Sequence, residues 1–323
     1  MLIKNLVRAL AVSVVFTATA QAQEVVRLGN LKFAHYGAIS YIKEIAPKCG
    51  LKVEENTFAK GPDVMQAILA GELDVGATAS EAAITGRANG APIVIVAGFA
   101  KGGARLVARP DAAIKSIKDL RGKRVGVTRG GIHEVLLAAQ LAQNGLTSSD
   151  KEGKDVQLVY LAFADLNQAL LGKNLDAIMQ SEPQSSQAIN KGFGVEVMKP
   201  YDTPIGEPVR TLVMTEKFYT ERRPVAEKFM RCFVEATKGF IETKGMAEKY
   251  VRETIFKGQI TSDDFQDAIA NSPYSYDVTA AHIQTTTDTM AKYGVGKMLK
   301  PPMATDWVKT DLLDQAKKSL NIR

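Results

Sequence analysis

The sequence predicts an α/β protein built from two similar units, and three observations carry that prediction. Short apolar runs alternate with stretches of helical periodicity. The alternation restarts after Lys101-Gly102-Gly103. The chain of 323 residues is long for one core and fits two domains of ordinary size.

Residues 1–22 come first and read as an address. Lys4 and Arg8 give a positive start, Ala9–Phe16 an apolar stretch, and Ala20-Gln21-Ala22 the small residues that a signal peptidase reads. The stretch is too short to span a bilayer. Cleavage after Ala22 is expected, with export to the periplasm if the cell has an outer membrane.

The first unit follows. Val25–Phe33 reads as a strand, about Ile39–Pro47 as a helix and Leu51–Phe58 as a second strand. Pro62 suits the first turn of a helix, and Val64, Ile68 and Leu69 give that helix an apolar stripe. Gly71 stops it. Asp74–Thr78 is a short strand, Ser80–Ala88 a helix, and Pro92–Phe99 a continuous apolar strand of the kind buried on both faces. This spacing predicts a parallel sheet with right-handed crossovers.

The second unit repeats the grammar. Arg105–Arg109 and Lys123–Thr128 read as strands around a polar helical turn, Ser116–Gly122. Gly130 and Gly131 lead into a helix, His133–Gln143. Then come strand Val156–Phe163, helix Asp165–Leu171, strand Leu175–Gln180, helix Gln184–Asn190 and strand Val195–Met198. After a further strand, Arg210–Thr215, the chain is mostly helical, and this tail is expected to pack back on the first unit. Residues 23–104 with 205–323 therefore form one expected unit and 105–204 the other. There is also a weak internal echo, against the reading that any α/β chain repeats such punctuation: Ala70–Ala77 and Leu171–Ile178 share a glycine stop and a Leu-Asp strand start. Each is followed by a Ser-Glu pair, Ser80-Glu81 and Ser181-Glu182.

Composition narrows the function classes. The formal charge is +6, and +4 without Lys4 and Arg8; no run of five basic residues occurs, and aromatics are not interleaved with bases. Nucleic acid is not an expected partner. Two cysteines, Cys49 and Cys232, exclude a multi-cysteine zinc or iron–sulfur site; a disulfide and two separate buried thiols both remain open. His35, His133 and His282 share no metal-binding spacing, and neither metal nor cofactor is expected.

Three segments carry a family resemblance: GELDVGA (Gly71–Ala77), SIKDLRGKRVGVT (Ser116–Thr128) and LGKNLDAI (Leu171–Ile178). In them the chain resembles the extracytoplasmic solute-binding proteins of ABC importers, in the nitrate/sulfonate/bicarbonate and thiamine-pyrimidine-synthase-like branch. The resemblance implies a type II periplasmic-binding-protein fold, with two lobes joined by two hinge strands and a ligand cleft between them. It implies a monomeric receptor that captures a small polar solute, anionic or ring-bearing, and presents it to permease subunits in the inner membrane. A pyrimidine-synthase-like enzyme on the same fold is the alternative, but those enzymes carry a cysteine-rich motif that is absent here. A receptor reporting to a membrane signalling protein is the third reading.

Open α/β sheets bind ligands beyond the carboxyl ends of their strands. There the sequence places His35 and Tyr36; Thr78, Ala79 and Ser80, which open a helix whose free N–H groups suit an oxyanion; and Thr128, Arg129, Gly130, Gly131 and His133. Arg129 is the expected counter-charge to an anion, against a solvated loop position. Glu182 would favour a donor on the ligand, against a helix-start acid serving the dipole. Phe99 and Phe163 are candidate apolar walls, and Lys60-Gly61-Pro62 a rim.

Overall fold

Strand and helix alternate through the first two thirds of the computed structural model, which describes residues 23–322. The expected signal segment lies outside the described residues. The order begins β1 (Glu24–Leu31), α1 (Gly37–Ile45), β2 (Leu51–Phe58), α2 (Gly61–Leu69), β3 (Val75–Ala79), α3 (Ser80–Ala88), β4 (Ile93–Lys101). It continues β5 (Ala104–Ala108), β6 (Arg124–Val127), α4 (Ile132–Gln143), β7 (Ser148–Ser149), β8 (Val156–Tyr160), α5 (Phe163–Leu171), β9 (Ala177–Ser181), α6 (Gln184–Asn190), β10 (Val195–Met198) and β11 (Val209–Thr215). Seven α-helices follow among the described residues: α7 (Glu216–Glu221), α8 (Arg223–Glu242), α9 (Lys244–Lys249), α10 (Ser262–Asn271), α11 (Ala280–Tyr293), α12 (Ala304–Trp307) and α13 (Asp311–Ser319).

The strands form two sheets, in the orders β2-β1-β3-β11-β4 and β10-β5-β9-β6-β8-β7. The expectation of parallel sheets needs correction. β1, β2 and β3 are parallel, as are β6, β7, β8 and β9, but β11 runs antiparallel to β3 and β4, and β5 antiparallel to β9 and β10. β5 and β11 are the strands by which the chain enters one sheet from the other. Such a strand arrives without the helical crossover that a parallel neighbour requires.

The chain passes between the sheets twice, at Gly102-Gly103 and through residues 199–208. Gly102 and Gly103 both have positive φ (66° and 78°), and a Cβ on Gly102 would lie 2.3 Å from the Asn271 carbonyl oxygen. Only glycine fits there. Tyr201 ties the two passages together: its hydroxyl accepts from the Ala104 N–H at 3.0 Å.

The first sheet is covered by α8, whose buried face carries Phe229, Met230, Phe233 and Phe240 at helical spacing. Cys232 on α8 is bonded to Cys49, just beyond α1, with Cα atoms 6.1 Å apart. This settles the pairing that the sequence left open. Trp307 is fully buried and packs against the same core. The helical tail also reaches the second sheet's helices, since α10 packs on α6 and α11 on α4.

Candidate functional site

A small cavity of about 30 Å³ lies where the strand ends of the two sheets face each other. The turn after β1 supplies Phe33, His35 and Tyr36. Thr78 and Ala79 come from β3 and Glu81 from the first turn of α3. Thr128, Gly131, Ile132 and His133 come from the turn between β6 and α4, and Arg210 from β11. That leaves room for a few waters, so a larger solute would need the walls to part.

Arg210 organises the site. It is 1% exposed, and its guanidinium donates from Nε to His35 Nε2 at 3.1 Å and from Nη2 to the Gly102 carbonyl at 2.8 Å. His133 Nε2 lies 3.2 Å from the Gly103 carbonyl, to which it donates. This network assigns the His35 proton to Nδ1 and the His133 proton to Nε2. Both rings are buried beside a fixed positive charge. Burial, then Arg210, holds His35 well below the ordinary imidazole value and brings His133 down to about 3. Glu81, 3% exposed, behaves oppositely. Burial pushes its carboxyl up to about 7, against the pull of Arg210 and of the backbone N–H groups of Glu81, Ile132 and Ala82.

Five polar atoms of cavity-lining residues are buried and lack a hydrogen-bond partner: His35 Nδ1, Thr78 Oγ1, Glu81 Oε2, His133 Nδ1 and Arg210 Nη1. A buried polar atom without a partner costs on the order of 1–3 kcal/mol. Several around one cavity mark a place built for something other than stability.

The histidines make a pH prediction. Between pH 6.5 and about 3 the unfolded chain binds a proton at His133 that the folded chain refuses, so stability present above pH 6.5 is lost as pH falls. Glu81 contributes the reverse slope between its ordinary 4.5 and about 7, because there the folded chain holds the extra proton. His133→Gln is expected to lose roughly 1.5 kcal/mol less stability than the wild type between pH 6.5 and 5, read by urea unfolding. Equal losses would mean that the folded ring takes its proton normally.

Eight of the twelve expected site residues line the cavity: His35, Tyr36, Thr78, Ala79, Thr128, Arg129, Gly131 and His133. The expected strand to Phe33 is shorter, since β1 ends at Leu31, and His35 and Tyr36 sit buried in a 3₁₀ turn, Ala34–Tyr36. Ser80, Phe99, Gly130 and Glu182 do not line it. Ser80 is buried at the start of α3, and Phe99 packs edge-on behind Tyr36 with ring centres 4.7 Å apart. Gly130 gives its N–H to the Glu134 carboxylate.

Glu182 is fully buried but faces away, where Arg105 of β5 meets its carboxylate at 2.9 Å and Ser186 and Asn271 also donate to it. Arg129 moves furthest from expectation. Its side chain is 62% exposed, donates to Asp150 at 2.6 Å and lies over the Tyr160 ring at 3.6 Å. Its charge already has a partner outside the cavity.

The sequence reading missed Arg210 and Glu81. A signal existed for each. Arg210 is the one charge in a buried strand, VRTLVMT, and a charge in a buried strand needs a reason. Glu81 is the one acid in a helix of small residues, SEAAITGRA.

The model of the NMT1-like family matches residues 9–253. A putative aliphatic sulfonates-binding protein of Escherichia coli is 30% identical over 224 residues, 68% of this chain and 66% of that protein, so this chain matches just under two thirds of that relative's length. A putative ABC transporter periplasmic binding protein of Brachyspira hyodysenteriae is 22% identical over 315 residues, covering 90% of this chain and 89% of that one.

Among solved structures, the alkanesulfonate-binding protein of Xanthomonas axonopodis bound to MOPS superposes with TM-score 0.72 at 18% identity, over 88% of this chain and 97% of its own. The periplasmic nitrate-binding protein of Synechocystis superposes with TM-score 0.73 at 15% identity, over 94% and 90%. These likenesses establish the fold: two α/β lobes of the periplasmic-binding-protein kind.

Proposed function

This chain belongs to the NMT1-like family, and from that premise we propose that it is the extracytoplasmic solute-binding receptor of an ABC importer. It captures a small polar solute between its lobes and presents it to membrane permease subunits as a monomer. One lobe comprises residues 23–104 and 205–323, the other 105–204. Binding, not turnover, is the task.

The observation that carries this reading is the set of five unpartnered polar atoms around one cavity at facing strand ends. The relatives named as binding proteins support it. Lobe closure about two chain passages is a known way to report occupancy to a partner. Arg210, not Arg129, is the charge that meets the solute, because its Nη1 is buried and free to donate.

A thermal-shift screen of small anions, amides, pyrimidines and aromatic acids tests the reading, since a ligand of the folded state raises Tm by mass action. Calorimetry on a hit then compares variants. Arg210→Lys is expected to weaken binding about thirtyfold or more, because a point charge cannot replace the planar fork. Arg129→Ala should stay within about twofold, as exposed pairs contribute little. The opposite pattern would restore Arg129 as the counter-charge. A product in the incubation by mass spectrometry would move the protein to the enzyme class.

A further inference from the structure

The internal echo in the sequence has a counterpart in the sheets. In the second sheet Arg105 of β5 stands opposite Gln180 of the antiparallel strand β9, and Glu182 follows two residues later. In the first sheet Arg210 of β11 stands opposite Ala79 of the antiparallel strand β3, and Glu81 follows two residues later. The two Arg/Glu sets thus occupy matching positions in the two sheets. All four side chains are buried.

Their fates differ. Arg105 and Glu182 meet at 2.9 Å, and Asp267, Ser186 and Asn271 complete the cluster. No ion pair within 4.0 Å joins Arg210 to Glu81 among the described residues. Instead Arg210 Nη1 and Glu81 Oε2 both lack partners, and both residues line the cavity. Two opposite buried groups are costly when apart, and each stays only if something completes it.

We propose that Arg210 and Glu81 are the two ends of an ion pair held open for a solute that bridges them, one presenting an N–H donor beside an oxygen acceptor, as carboxamides and ureides do. This rests on the reading of the cleft as a solute site. The solute's oxygen accepts from Arg210 Nη1 and its N–H donates to Glu81 Oε2. The flanking histidines offer the same mixture, a donor at His35 Nδ1 and an acceptor at His133 Nδ1. Thr78 Oγ1 can serve either way. A permanent oxyanion would satisfy Arg210 but face the Glu81 carboxylate.

Three probes of one shape separate the possibilities: acetamide offers donor and acceptor, acetate only acceptors, and acetamidinium only donors. Binding to the full-length mature protein at pH 8 is read by NMR titration up to 50 mM probe. The wild type is expected to prefer acetamide over acetate at least tenfold. Glu81→Gln, which keeps the shape and removes the charge, should reverse or erase that preference by gaining acetate binding.

Acetate equal to or tighter than acetamide in the wild type would overturn the assignment while leaving a solute site in place. Acetamidinium as the tightest would also overturn it, since Arg210 would then play no part. Binding of none of the three at 50 mM would overturn it too, and the receptor reading is then decided by the solute screen and the Arg210 comparison above. Circular dichroism of Glu81→Gln checks its fold. If that variant does not fold, the wild-type ranking alone decides.

Discussion

Cys49→Ala/Cys232→Ala is expected to lose on the order of 5 kcal/mol of stability, the largest loss from any change outside the cleft. The bond joins residues 183 apart in sequence, so it closes most of the mature chain into one loop. Loop closure removes unfolded-state entropy in proportion to the logarithm of loop length, and this loop lies at the long end of the range. In space the bond staples the turn after α1 to α8, the long helix that covers the first sheet. Urea unfolding of the double variant against the wild type measures the loss. Solute affinity should not change, because Cys49 and Cys232 do not line the cavity. A loss under about 1 kcal/mol would mean that the reduced chain keeps the same contacts in its unfolded state.

Much of this fold is legible in the sequence because its punctuation is physical. Pro62, Gly71 and Gly145 stop or start helices where the backbone requires it, and α2 and α4 begin or end within a residue or two of them. The continuous apolar run before Phe99 becomes the buried edge strand β4. What escapes the sequence is direction. Periodicity gives an element's type but not which way a strand runs, and β5 and β11 turn both sheets from parallel to mixed.

The site divides the same way. The strand-end rule brings His35, Tyr36, Thr78, Thr128 and His133 to one cavity. It cannot tell which charged side chain turns inward. Arg129 has an acid and an aromatic ring within reach outside the cavity, and takes them. Arg210 lies inside a sheet, where no solvent offers an alternative; its lone charge in VRTLVMT is legible in the sequence, but the pairing of β11 with β3 and β4 is what brings it to the cavity.

Glu182→Ala provides the sharpest contrast between a buried charge that holds the fold and one that meets a solute. It is expected to cost about 3–5 kcal/mol of stability, because it leaves Arg105 buried with its inner partner gone. Asp267 and Glu196 still face that guanidinium, at 2.8 and 3.2 Å, but both are over a third exposed and compensate less well. Burial pushes the Glu182 carboxyl up, opposed by Arg105, Ser186 and Asn271, so the pair persists only while the whole cluster is intact.

The double variant Arg105→Met/Glu182→Met should cost less than the sum of the single changes, since it removes both charges and fills the space with apolar atoms. Urea unfolding of the three variants gives the coupling. Solute affinity, measured by calorimetry on any variant that folds, should stay within about threefold of the wild type, since Glu182 has no atom on the cavity. If Glu182→Ala instead left stability unchanged and abolished binding, Glu182 would return to the cleft. The matching of the Arg105–Glu182 pair with Arg210 and Glu81 would then lose its meaning, because the closed pair would itself be a solute contact.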